Sequence, residues 1–133
     1  MNARVIVADD EADIRQLVAF TLRRRGHTVI EAATGDAALA LITTERPDLA
    51  VLDVMMPGLS GLEIARVASA DPATAAIPII LLSAKGQVSE INEGLASGAR
   101  KYLVKPFTPR HLAETVADLL ETCAIRETLT AHA

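Results

Sequence analysis

The chain has no tryptophan and only three aromatic side chains, Phe20, Tyr102 and Phe107. The stacking platforms that hold single-stranded nucleic acid are therefore not available in number. Positive charge is also scarce: 13 Lys and Arg against 17 Asp and Glu leave a net charge of -4. No general electrostatic attraction to nucleic acid or to an anionic membrane follows from such a balance. The longest basic run, Arg23 to Arg25, stands just before Gly26, where cations complement the end of a helix. A single cysteine, Cys123, excludes an internal disulfide, and Asp9 and Asp10 interrupt the N-terminus before any signal-like segment develops. A cytoplasmic, soluble protein is expected, since no apolar run approaches the roughly 18 residues of a membrane span. GxxxxGK[ST] and GxGxxG are both absent, so neither a P-loop nor a dinucleotide site is supported. His27, His111 and His132 lack ligand spacing and are expected to be solvated. Cys123 reads as a small buried hydrophobe rather than an activated thiol.

Half of the 133 residues are hydrophobic, which suits one compact domain. Short apolar runs alternate with longer amphipathic ones five times over, a βα repeat pattern. The predicted strands are Arg4 to Ala8, Thr28 to Ala32, Leu49 to Asp53, Ile79 to Leu82 and Lys101 to Val104. The helices between them show apolar stripes: Ile14, Leu17, Val18 and Leu22 in the first, Ala38, Leu41 and Ile42 in the second, and Val88, Ile91 and Leu95 in the fourth. The third, near Leu62 to Ala68, is alanine-rich, and the last carries Leu112, Val116, Leu119 and Cys123. Strands one, three and four are nearly continuous aliphatic runs, as expected where helices cover both faces of a parallel sheet. The second, "TVIEA", and the fifth, "KYLVK", carry charge and belong nearer the edges. Right-handed crossovers then favour a flavodoxin-like, doubly wound, five-stranded parallel sheet of order 2-1-3-4-5. Residues 1–122 form the predicted domain, and 123–133 a helix extension or an exposed tail.

The polar residues gather where such a sheet binds ligands, beyond the carboxyl ends of its strands at the reversal of strand order. Asp9 and Asp10 follow strand one, Asp53 ends strand three, Ser83 follows strand four and Lys105 follows strand five. Taken singly, Asp9 or Asp10 is a conventional helix cap. Three carboxylates brought together repel, and some stay protonated unless a cation sits among them. Oxygen-only ligands point to Mg²⁺ rather than zinc. Lys105 adds an ammonium and Ser83 a hydroxyl, which completes the surroundings of a phosphoryl group in transfer. Asp53 is then a candidate nucleophile for an acyl phosphate.

The segments "VADDE", "VLDVMMPGLSGLE", "IILLSAK" and "GARKYLVKPF" together resemble the receiver domain of two-component response regulators, over about residues 3 to 122. The resemblance implies that Asp53 takes a phosphoryl group from a histidine kinase, a phosphotransfer protein or a small phosphodonor. It also implies that Asp9, Asp10, Asp53 and the Met55 backbone carbonyl hold Mg²⁺, and that Ser83 and Lys105 bind the phosphoryl oxygens. Tyr102 resembles the family's switch aromatic, moving with Ser83, and Lys105-Pro106 is expected to be cis. Such a protein is a phosphoacceptor that assists only its own phosphorylation and dephosphorylation. It acts by altering the surface of the fourth helix, fifth strand and fifth helix, through a separate effector or an output domain of its own, with no direct nucleic-acid contact by this chain. Many DNA-binding members carry acids where this chain has Arg100 and Lys101, and bases where it has Glu114 and Asp118. Their usual dimer face is therefore altered, and a homodimer with reversed charge pairing stays open. Two alternatives are a constitutive receiver-like scaffold and an aspartyl-nucleophile phosphohydrolase. The second is disfavoured because Met55 replaces the acid such enzymes carry two residues after the nucleophile.

Overall fold

The computed structural model describes the backbone of residues 2–131 and the side chains of residues 2–123. Along the chain run β1 (Arg4–Ala8), α1 (Ala12–Arg24), β2 (Thr28–Ala32), α2 (Gly35–Glu45), β3 (Leu49–Asp53), α3 (Gly61–Ala70), β4 (Ile79–Ser83), α4 (Val88–Ala96), β5 (Lys101–Val104) and α5 (Pro109–Ala131). All strand pairs are parallel, in the order β2-β1-β3-β4-β5. The predicted doubly wound sheet is thus the observed one.

The aliphatic runs explain why both faces are covered. Successive side chains of a strand point to opposite faces, so each continuous run feeds two cores. Val5, Val7, Val51, Ile80 and Leu82 pack with Val18 and Leu22 of α1 and with Leu112 and Val116 of α5. Ile6, Leu52, Ile79 and Leu81 pack on the other face with Ile42 of α2 and Ile64 of α3. Every residue of β3 and β4 is buried, which leaves Asp53 and Ser83 at the ends of the two best-covered strands. Each large aliphatic side chain removed from water there contributes about 1.5–3 kcal/mol, enough to hold polar strand ends against their own desolvation.

The loop between β3 and α3 is set by its neighbours. Ser60 begins α3 with a reciprocal cap: its hydroxyl accepts from the Glu63 N–H at 3.1 Å, and Glu63 Oε1 accepts from the Ser60 N–H at 3.1 Å. Gly35, at the start of α2, donates its N–H to the Pro57 carbonyl, and a Cβ at this position would collide with the Leu59 carbonyl. Only glycine allows α2 to approach the segment after Asp53 so closely.

Several expectations need correction. Leu17 lies 45% exposed, because α1 buries Val18, Ala19 and Leu22 and turns Leu17 outward. In α4 the stripe also faces out: Val88 is 73% and Leu95 42% exposed, while only Gly94 is buried. That helix approaches β5 at Gly94, which leaves Val88 and Leu95 exposed while Ile91 stays half-buried. His27 is buried rather than solvated, its Nδ1 accepting from the Ala3 N–H at 3.2 Å. Burial, followed by nearby positive charge including Arg25, holds it below the ordinary imidazole range. Cys123 is half-buried. The α5 backbone continues to Ala131, while side chains after Cys123, and His132, lie outside the described residues. No helix among the described residues is long and apolar enough to cross a membrane.

Candidate functional site

Burial of three of the five polar residues at the strand ends sets the character of the rim. Asp9 is fully buried, Asp53 is 4% exposed and Ser83 is 2% exposed, whereas Asp10 faces solvent. The carboxylates of Asp9, Asp10 and Asp53 each place an oxygen within 4.8 Å of the others. A cleft of about 260 Å³ opens above them, lined by Asp10, Asp53, Met55, Ser83, Lys85 and Lys105 among others. Asp9 does not line the cleft itself but contacts Lys105, which does.

The aspartates are not helix caps. The residue that precedes α1 is Glu11, whose side chain makes no capping bond. Asp9 Oδ1 instead accepts from the Glu11 N–H at 2.9 Å, a turn bond that aims the Asp9 carboxylate into the rim. Its second oxygen, Oδ2, accepts from Lys105 Nζ at 3.2 Å. The same ammonium lies 3.3 Å from Asp53 Oδ1 and 3.6 Å from Glu11 Oε1. Glu11 was not among the predicted site residues, although its place in the run "DDE" was a visible signal.

One ammonium cannot neutralise this group of acids. Burial first, and then the adjacent Asp9 carboxylate, push Asp53 up to about 6 despite the pull of Lys105. Burial alone would lower Lys105, but Asp53 and Asp9 together outweigh it and raise the lysine above its ordinary value. Such a site favours an added cation. Its converging donors are carboxylate oxygens, the chemistry that suits a hard divalent ion and leaves room for water and phosphate oxygens.

The other rim residues are linked through the backbone of one residue, Lys85. Ser83 Oγ accepts from the Lys85 N–H at 3.1 Å, and the Lys85 carbonyl accepts from the Tyr102 hydroxyl at 2.8 Å. Lys85 therefore couples the hydroxyl at the cleft to the half-buried ring on β5. Gly94 makes room for that ring, since a Cβ there would come 2.5 Å from Tyr102 Cδ2. A glycine inside an amphipathic helix was the signal for this close approach. The Lys105-Pro106 peptide is cis. Met55 is 62% exposed beside the cleft.

Comparison with known proteins agrees with this geometry. The family model of the response regulator receiver domain matches residues 5–117. The phosphate regulon transcriptional regulatory protein PhoB of Pseudomonas aeruginosa is 42% identical over 116 residues, covering 87% of this chain and 51% of that protein. The alkaline phosphatase synthesis transcriptional regulatory protein PhoP of Bacillus subtilis is 39% identical, covering 94% of this chain and 51% of its own length. The chain thus spans about half the length of these curated relatives. Among solved structures, the chemotaxis response regulator CheY4 of Vibrio cholerae superposes with a TM-score of 0.84 at 35% identity, over 90% of this chain and 99% of that one.

The raised pKa of Asp53 makes the metal-free protein sensitive to pH. Stability from the protonated acid is fully present below the ordinary value of 3.8 and is lost as pH rises through about 6. Asp53→Asn is therefore expected to stabilise the metal-free protein by about 1–3 kcal/mol at pH 8, shrinking towards zero near pH 4. Urea unfolding of both forms in chelator at the two pH values checks this. The family match, the parallel sheet and the acids gathered at its carboxyl edge lead to one assignment: the chain belongs to the receiver-domain family of two-component response regulators.

Proposed function

We propose that the chain is a cytoplasmic phosphorylation switch, with Asp53 as the phosphoacceptor. The observation that carries this reading is the buried Asp53 carboxylate, pushed up to about 6 and facing a cleft beside a fixed ammonium. An Asp53 oxygen attacks the phosphorus of a phosphohistidine on a histidine kinase or phosphotransfer protein. The P–N bond breaks, and the donor imidazole takes up a proton. Asp9, Asp10, Asp53 and the Met55 carbonyl would hold Mg²⁺, which supplies charge neutralisation between the acceptor carboxylate and the incoming phosphoryl oxygens. Lys105 pairs with a phosphoryl oxygen as its contact with Asp53 is given up. Ser83 Oγ donates to another.

The Ser83 movement is what transmits the state. Its hydroxyl accepts from the Lys85 N–H, and the Lys85 carbonyl holds Tyr102, so drawing Ser83 to a phosphoryl group changes contacts as far as β5. Phosphorylation shifts an ensemble only through such differing contacts. The output face is α4, β5 and α5, where Val88, Leu95 and Val104 stand exposed. It acts on a separate effector or on an output domain joined to this one. The relatives named as transcriptional regulators are about twice as long as the matched segment. On this face Lys101, Glu114 and Asp118 are exposed, and their charges suit a homodimer with reversed pairing.

The donor's docking face is α1. Leu17 is 45% and Phe20 58% exposed there, and the Arg24 guanidinium lies 5.7 Å from the Phe20 ring centroid.

Two outcomes follow. Incubation with acetyl phosphate should add one phosphoryl group by intact mass, only with Mg²⁺ and not in Asp53→Asn; a metal-independent adduct or one persisting in the variant contradicts the assignment. Phe20→Ala should slow transfer from the kinase by about tenfold, the factor equivalent to ~1.4 kcal/mol of lost contact, and leave acetyl phosphate uptake unchanged. Equal slowing with both donors would remove α1 as the docking face.

A further inference from the structure

Two charged features of the sequence are not accounted for by the phosphoacceptor cleft: Glu31 within β2, and Arg23 in the basic run that ends α1. In the structure they belong to one network. Arg23 Nη1 lies 3.2 Å from Glu31 Oε2, and its Nη2 donates to the Val29 carbonyl at 3.1 Å. Glu31 Oε1 in turn accepts from Arg15 Nε at 3.3 Å. Arg15 completes the chain by donating from Nη1 to the backbone carbonyl of Asp9 at 2.8 Å. The Arg15 side chain is only 18% exposed, and Glu31 29%.

The target of the last bond matters. Asp9 is held on one side by its N–H, which donates to the Ala32 carbonyl at 3.2 Å as the last rung beside β2. Its carbonyl, at the start of the turn carrying Asp10, is held by Arg15 alone among the hydrogen bonds of the described side chains. A guanidinium is planar and forked, so Nε and Nη1 can engage Glu31 and the Asp9 carbonyl together. A lysine ammonium lacks this fixed fork.

We propose that Arg15, oriented by Glu31, is a positioning residue for the acidic pocket. It holds the peptide linking Asp9 to Asp10 so that both carboxylates face the cation site. This rests on the reading that Asp9, Asp10 and Asp53 hold Mg²⁺. Outer partners that orient metal ligands are commonly worth about 10–100-fold in metal affinity.

Two physical roles for Arg15 predict opposite signs. A guanidinium acting only through its field repels Mg²⁺, so Arg15→Met would tighten binding. A guanidinium that positions the ligands does the reverse.

The test is isothermal titration calorimetry of the full chain with Mg²⁺ alone, alongside urea unfolding in chelator to establish that each variant is folded. Arg15→Met and Arg15→Lys are expected to weaken Mg²⁺ binding by about tenfold, near the lower end of the range for outer partners. Glu31→Gln should weaken it when Arg15 is present and add nothing in the Arg15→Met background, because Glu31 acts through Arg15. Tighter or unchanged binding in Arg15→Met, or independent effects of the two substitutions, would overturn the proposal. Wild-type protein that takes up no Mg²⁺ would instead overturn the metal reading, and this proposal with it.

Discussion

The contact between the Lys105 ammonium and the two buried carboxylates of Asp9 and Asp53 is the constraint on which the rest depends. It joins the end of β1 to that of β3 and reaches both from beyond β5, at 3.2 and 3.3 Å. Without it, two acids would share a desolvated rim with no compensating charge. Even with it, negative charge is in excess, and Asp53 is pushed up to about 6. The imbalance has a consequence: a pocket with excess negative charge gains from a divalent cation, where a fully neutralised one would gain little.

The scaffold holds this arrangement by covering the strands on both faces. Burial of all of β3 and β4 fixes Asp53 and Ser83 in neighbouring registers, with Asp53 paired opposite Leu82. From that rigid base hydrogen bonds run from Ser83 through the Lys85 backbone N–H and carbonyl to Tyr102 on β5. The link is short and made of two discrete hydrogen bonds.

Much of this architecture was legible because a doubly covered parallel sheet leaves a strong trace. The runs "RVIVA", "LAVLD" and "IILLS" are nearly uninterrupted, and their polar endings fall on one edge by topology alone. Amphipathic stripes were less informative. Val88, Ile91 and Leu95 have the spacing of a buried face, yet Val88 and Leu95 stand exposed and Ile91 is half-buried, because period alone cannot separate a core face from a surface one. Leu17 misleads for the same reason. His27 is buried by the segment around Ala3, 24 residues away in sequence, and Arg15 meets Glu31 on a strand 16 residues further on. Such contacts arise only when the N-terminal segment and α1 come to lie beside β2, so no local pattern announces them.

The most direct test is which carboxylate accepts the phosphoryl group. Borohydride reduces an acyl phosphate to an alcohol, so treatment of freshly phosphorylated protein followed by peptide mapping marks the acceptor chemically. Homoserine is expected at position 53 and at no other aspartate. A mark at Asp9 or Asp10, or a stable adduct that borohydride does not reduce, would contradict Asp53 as the acceptor.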